Sequence, residues 1–382
     1  MQTKINIIIG TNNFGLGPVG KVSSIVNALK SKFDFYACGN EFDMNIFEKN
    51  IFKDKLFSKD IKKIEEFVLK NNIKYAISVL DVELAKILLS LKVKVLFVDS
   101  LPFMWTQADI DEGLLPLEAT VYCAQKCINL TDASKNVLSQ INNLKWINPI
   151  QNTSNTMYKP FDCPYVLINV GGLHSPIGNG ESYIDTIIVP TIKVFNKLNK
   201  KILITGGTQA TKSLSIILNK YDIKIENIII ETLEQEKFIS AVKNSEIFLT
   251  SPGLTTIYET SSLKKPTIIL PPQNLSQFYN IEYSKKILDK YKTVNWETDK
   301  LNFSYLNKIL YKGETYVVDK IYEYITELTN TDFNILFEKK FEKILNEKYE
   351  NKMKSNFKIE GNGTEDIKEI LEELIREDIN EI

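Results

Sequence analysis

Residues 247–283 read IFLTSPGLTTIYETSSLKKPTIILPPQNLSQFYNIEY, and the punctuation of this stretch decides the fold. Ile247 to Thr250 is a short apolar run that Ser251-Pro252-Gly253 breaks. From Thr255 to Leu263 the pattern becomes helical, with Ile257 and Leu263 set among polar positions. Thr267 to Leu270 is a second apolar run, closed by Pro271-Pro272, and a further helix is expected from about Gln277. Strand, glycine turn, helix and strand in succession imply a parallel α/β sheet. The turn aims the free backbone N–H groups of a helix start into one crevice, where the helix dipole favours an anion. Thr256 and Glu259 stand three residues apart, hence on one helical face. A carboxylate one turn behind a phosphate site is placed to accept from both hydroxyls of a ribose.

Pro252-Gly253, Thr256, Glu259, Lys265-Pro266, Pro271, Gln277 and Asn280 together resemble the donor-site signature of GT-B glycosyltransferases. The likeness is to family 28, which includes the enzyme that adds N-acetylglucosamine to the lipid-linked cell-wall precursor. The resemblance implies that Glu259 holds the nucleotide ribose. It places Gly253, Leu254, Thr255 and Thr256 at the phosphates, and Gln277, with Asn280 beside it, at the sugar. Any one of these residues also fits an ordinary βαβ unit with a structural glutamate; it is their order over some thirty residues that carries the likeness.

Working back toward the N-terminus, Ile228 to Glu231 is an expected strand, and the resemblance has Thr232 and Leu233 meet the nucleobase through backbone groups. Lys201 to Thr205 is another, ending in Gly206-Gly207-Thr208, a second turn at the crevice. Tyr165 to Val170 is a third, ending in Gly171-Gly172-Leu173-His174, where the family's glycine turn contacts diphosphate and sugar. Ser175 to Ser182 reads as an inserted loop. His174, the sole histidine, is equally readable as a donor contact or as part of a surface loop.

The N-terminal half alternates strands (Lys4 to Ile9, Phe33 to Ala37, Tyr75 to Leu80, Val93 to Val98, Lys126 to Leu130) with helices, so a second parallel sheet is expected. Its first loop, Gly10 to Gly20, nearly fits two phosphate-binding patterns. Gly15-Leu16-Gly17-Pro18-Val19-Gly20 matches GxGxxG, but the strand ends some five residues too early and no acid closes the next one. The Walker-like reading fails similarly, with Val22 at the hydroxyl position. The resemblance makes this loop, with Asn13, Gly15 and Gly17, the acceptor side. Relatives often carry a histidine base there, and this half has none. Asp81 and Asp99 each follow an apolar strand, so either carboxylate could serve as the catalytic base at the sheet edge, Asp99 first. Each could equally cap the next helix or turn. Phe103, Met104 and Trp105, with Leu114, Leu115 and Pro116, form an apolar loop segment that either lines an acceptor site or packs between domains, packing being preferred.

The expected organisation is therefore two Rossmann-like domains facing across a cleft: 1–147 on the acceptor side, a linker at 148–164, and a donor domain at 165–312. A helix at 313–345 would return toward the first domain, and 346–382 would form a charged helical tail, read as solvated. With 382 residues, 43% of them apolar, both cores can be filled. A net charge of −1 leaves no electrostatic footprint for nucleic acid. Arg376 is the only arginine, so a diphosphate must rest on backbone N–H groups, hydroxyls or lysine. Cys123 and Cys127 have helical rather than CxxC spacing; with Cys38 and Cys163 they read as buried free thiols. No apolar run is long enough to span a membrane and no signal-peptide pattern occurs, so a cytoplasmic location is expected.

The resemblance implies an inverting, metal-independent transfer of sugar from a nucleoside diphosphate, most simply a uridine one, to an acceptor that the sequence does not name. No cofactor or metal is expected. A GT-B-fold epimerase or hydrolase of nucleotide sugars is the second enzymatic reading. A noncatalytic nucleotide-sugar-binding subunit and an NTPase or kinase are the readings of other classes.

Overall fold

A computed structural model of the chain describes residues 4–12, 15–127, 130–152, 156–173, 180–221, 223, 225–287, 292–296, 298–346 and 361–380. The chain divides into two compact units, one of residues 1–13, 18–152 and 359–382 and the other of residues 14–17 and 153–358.

The first unit holds strands β1 (Ile5–Thr11), β2 (Phe33–Gly39), β3 (Asp54–Phe57), β4 (Tyr75–Val79), β5 (Lys94–Asp99), β6 (Val121–Gln125) and β7 (Leu144–Ile147), in the order β3-β2-β1-β4-β5-β6-β7. The second holds β8 (Tyr165–Asn169), β9 (Lys201–Thr205), β10 (Ile228–Glu231), β11 (Ile247–Thr250), β12 (Thr267–Ile269) and β13 (Lys292–Thr293), ordered β10-β9-β8-β11-β12-β13. Every pairing is parallel. Parallel strands need crossover helices, which cover both faces; hence the central strands β1, β4, β5 and β8 are near-continuous buried runs. The strand order reverses between β1 and β4 in one sheet and between β8 and β11 in the other.

Several expectations need correction. The strand placed at Lys126–Leu130 lies upstream as β6, where Tyr122, Cys123 and Ala124 are buried. Cys123 is thus a strand residue despite its helical spacing from Cys127. The edge strands β3, β7 and β13 were unforeseen, being short and broken by lysine in the manner of managed sheet edges. The first helix begins at Gly17, not Lys21, because Pro18 is pre-organised for a first helical turn. Cys38 and Cys123 are buried and burial pushes both thiols up to about 12, whereas Cys163 is exposed.

The largest departure is at the C-terminus. Helices Glu314–Leu328 and Phe333–Asn346 belong to the second unit, where Phe341 packs edge-on to Phe195. The helix that joins the first unit is Gly363–Asn380, and it is not a solvated appendage. Ile367, Ile370, Leu371, Leu374 and Ile375 follow the i, i+3, i+4, i+7, i+8 spacing of one apolar stripe, and all five enter the core beside β1, β4 and β5. Polar contacts fix the register. Tyr75 donates to Asp378 at 2.7 Å, Lys94 pairs with the same carboxylate, and Lys32 and Lys145 pair with Glu372 and Glu373.

Candidate functional site

The second unit gathers its chemistry on one edge of its sheet. Register puts Glu231 of β10, Thr205 of β9, Asn169 of β8, Thr250 of β11 and Ile269 of β12 in one transverse row. Because the strands are parallel, the segments leaving these residues all emerge on the same side. Thr232-Leu233, Gly207-Thr208, Gly171-Gly172 and Gly253-Leu254 lie in those segments. The fold therefore brings together the candidates that the sequence scattered over eighty residues. The edge is the carboxyl end of an open α/β sheet at its switch point, where such sheets bind ligands.

Local chemistry builds each turn. Gly171 opens a short 3-10 turn, and its N–H donates to the Asn169 side chain at 2.9 Å. The Asn169 amide in turn donates to Thr250 Oγ1 at 3.3 Å, tying β8 to β11 across the strand reversal. Gly206 has to be glycine, since a Cβ there would lie 2.7 Å from Val170 Cγ2. Gly207 then caps the helix Thr208–Leu218, and Gly253 caps Leu254–Leu263; neither helix start has a side-chain cap. Among the described residues a Cβ on Gly253 would meet only Thr256 Oγ1, at 3.7 Å, so their packing does not demand glycine there. Leu254, Thr255 and Thr256 are half-buried around it. The helix ends when Lys264 takes a left-handed φ of +51°, and Pro266 forbids its continuation.

Glu259 sits on this helix, and at 4% exposure it is more enclosed than a crevice-facing carboxylate should be. Gln235 Nε2 donates to its Oε1 at 3.3 Å. Thr232 is half-buried, with its hydroxyl 3.2 Å from that of Thr211. The Leu233 side chain is committed to the core with Tyr165 and Phe248, which leaves only its backbone for a ligand.

The loop after β12 is polar and buried. Gln277 Oε1 accepts from the Gln273 N–H at 2.8 Å, and Asn280 Nδ2 donates to the Pro252 carbonyl at 2.8 Å. A carbonyl partner fixes the Asn280 amide orientation, since only nitrogen can donate. Asn280 Oδ1 and Gln273 Oε1 are then buried acceptors without a partner among the described residues. Buried, unsatisfied acceptors carry a desolvation cost of about 1–3 kcal/mol each, which a ligand's hydroxyl or amide donors would remove.

On the first unit, Asp99 closes β5 with no exposed surface. Its oxygens accept from Leu101 N at 2.8 Å, Trp105 Nε1 at 2.8 Å and Tyr122 OH at 2.9 Å. Trp105 packs against the core cluster that includes Leu115, and Phe103 is buried. Burial raises the Asp99 pKa from 3.8 to about 6 despite the three donors. The folded protein therefore holds this proton more tightly than the unfolded chain. The group's contribution to stability is greatest below about pH 4 and declines as pH rises to about 6. We expect Asp99→Asn to remove this decline, on the order of 2–3 kcal/mol, from the difference between urea-melt stabilities measured at pH 4 and pH 7. An unchanged pH profile would mean that Asp99 titrates normally. Asp81 accepts from Leu84 N at 3.0 Å and caps the helix Val82–Ser90, with Asn40 on its other oxygen; burial raises its pKa as well. That is the helix-cap role weighed for it.

Gly15 has a positive φ of 69° and Gly17 opens the first helix. Asn13 and His174 lie outside the described residues. Gln235 and Gln273 were missed, since neither belongs to a spacing pattern and only the fold brings them to the edge. Among the described residues no cluster of three or more His, Cys, Asp or Glu could hold a metal. No described helix is long and apolar enough to cross a membrane.

No family model and no curated protein sequence matches the chain. Solved structures do. The UDP-GlcNAc 2-epimerase of Methanocaldococcus jannaschii, in complex with UDP-GlcNAc and UDP, is similar over 97% of this chain and 99% of its own, at 17% identity and a TM-score of 0.53. A putative UDP-N-acetylglucosamine 2-epimerase from Listeria monocytogenes is similar over 84% and 91%, at 12% identity and a TM-score of 0.50. MurG of Acinetobacter baumannii also matches, over 89% and 99%, at 12% identity and a TM-score of 0.42. With two parallel Rossmann-like sheets and a helical C-terminal extension, the chain has the GT-B fold.

Proposed function

We propose that the protein acts on a nucleoside diphosphate sugar, most directly a uridine one. It would break the bond between the anomeric carbon and the diphosphate and pass the sugar to an acceptor with inversion. The observation that carries this reading is the single sheet edge from which two glycine-led helix starts emerge, with Glu259 on one of those helices and Gln273, Gln277 and Asn280 in the segment that follows β12. Backbone N–H groups at Gly207–Thr208 and Gly253–Thr256 would bind the diphosphate and stabilise the charge it gains on leaving. Glu259 would accept from the ribose hydroxyls, and Thr232-Leu233 would meet the base through the backbone. Gln277, Asn280 and Gln273 would read the sugar, because unpartnered acceptors favour a donor-rich group over a phosphate. Asp99 is the candidate base, since a pKa near 6 suits proton removal at neutral pH; it is enclosed by three donors, Leu101, Trp105 and Tyr122, and at least one of them has to give way for it to act.

The second reading is an epimerase or hydrolase acting on the same donor. It is favoured by the likeness to the M. jannaschii and L. monocytogenes proteins, both of which carry the name of a 2-epimerase. UDP or a UDP-sugar is expected to raise the melting temperature while ATP and NAD do not. Ligand at about 100 times Kd should add roughly 2.7 kcal/mol. Stabilisation by ATP with Mg²⁺ instead would overturn the nucleotide-sugar reading. Incubating UDP-sugars without acceptor then separates the two reactions: a transferase leaves the donor intact over the assay, whereas an epimerase or hydrolase converts it.

A further inference from the structure

The contact between Gln235 and Glu259 has a topological cause. The chain passes from β10 to β11 through the helix Gln235–Asn244, and from β11 to β12 through the helix Leu254–Leu263. In the strand order β10-β9-β8-β11-β12-β13 both crossovers run in the same direction. Right-handed connections then place both helices on one face of the sheet, as neighbours. Phe238 of the first and Leu263 of the second pack on the same core cluster, as this requires. Gln235 is the first residue of its helix, and its amide reaches the Glu259 carboxylate at 3.3 Å. Just before that helix stand Thr232 and Leu233, the segment assigned to the base.

We infer that Gln235 is a positioning residue for ribose recognition: its amide orients the Glu259 carboxylate and links it to the segment that would meet the nucleobase. This rests on the nucleotide-sugar reading. A buried carboxylate that must accept from two ligand hydroxyls gains from being pre-oriented, because the ligand then does not bear the cost of ordering it. An amide suits the task, since it donates without a charge that would neutralise the carboxylate. Gln235 itself is half-buried at a helix start, where its side chain contributes little to the core.

The test is a comparison of ligands that differ only at the ribose. UDP and 2′,3′-dideoxyuridine diphosphate are titrated calorimetrically into the parent protein, Gln235→Met and Gln235→Lys. Gln235→Met keeps the side-chain length and removes the donor. It is expected to weaken UDP by about 3- to 10-fold, the loss of roughly one hydrogen bond, and to change dideoxy-UDP by less than twofold. Gln235→Lys restores a donor but sets a positive charge against the carboxylate, so it is expected to recover only part of the UDP affinity. All three proteins should melt within a few degrees of one another. Equal losses for the two ligands, or no loss for UDP, would show that the contact is merely structural and overturn the inference while the nucleotide-sugar reading stands. Failure of the parent to bind UDP at all would overturn both.

Discussion

Deleting residues 361–382 is expected to unfold the N-terminal unit. The helix Gly363–Asn380 inserts five apolar side chains, Ile367, Ile370, Leu371, Leu374 and Ile375, into the core beside β1, β4 and β5. Burying one such side chain stabilises by about 1.5–3 kcal/mol, so the stripe contributes roughly 7–15 kcal/mol. That is the whole net stability of a typical domain. The ion pairs along the helix cannot decide the matter, because pairs as exposed as Lys145–Glu373 are screened by water and contribute little. Tyr75, which donates to Asp378, would lose its partner as well. A milder variant grades the effect: Leu371 is fully buried, and Leu371→Ala should cost about 2.7–5 kcal/mol. Glu373→Ala should cost almost nothing. Differential scanning calorimetry and limited proteolysis read the outcome. Two transitions in the parent, with the one assigned to the first unit lost on truncation and lowered in Leu371→Ala, is the expected pattern. A truncated chain that keeps both transitions would show that the helix only rests on a core complete without it.

The sequence showed this helix but not its destination, and the reason is physical. Periodicity at 3.6 residues reveals that a helix has an apolar face; it does not say which core that face joins, far away in the chain. A charged solvent face, with Glu365, Glu369, Glu372 and Glu373, made solvation look sufficient. In contrast, the second sheet was readable almost strand by strand, because buried parallel strands such as Tyr165–Asn169 and Ile247–Thr250 are short apolar runs with glycine or proline at their ends. The edge strand Asp54–Phe57 escaped notice, since lysine and aspartate on a four-residue edge look like a turn. At the site, the glycine-led helix starts were legible because a glycine turn between an apolar run and a helical pattern leaves a mark in one short segment. The Gln235–Glu259 contact and the orphan acceptors of Gln273 and Asn280 were not, since they depend on which helices share a face and on which amide is already engaged.

Glu259→Ala is expected to weaken UDP binding by roughly 30- to 150-fold. If the carboxylate accepts from both ribose hydroxyls, its removal deletes two charge-assisted bonds of about 1.5–3 kcal/mol each; water replaces part of that, which leaves a net loss near ~2–3 kcal/mol. Enclosure makes the variant less innocent than a surface change. Glu259 is buried and receives Gln235, so alanine also leaves an amide unpaired and a small void. A stability loss of about 1–3 kcal/mol is therefore expected beside the affinity loss, and the two have to be separated. Glu259→Gln does so: it keeps the volume and an oxygen for Gln235, yet surrenders the charge and one acceptor, so it should melt close to the parent and still bind UDP at least tenfold more weakly. The ribose supplies the second control. A donor lacking the 2′-hydroxyl should bind poorly to the parent and lose much less on mutation, because the interaction being deleted is already partly absent. Calorimetric titration of both ligands into all three proteins gives the coupling directly. Equal losses for ribose and deoxyribose ligands would make Glu259 a purely structural link between two neighbouring helices. The nucleotide would then have to be held by the glycine-led helix starts alone.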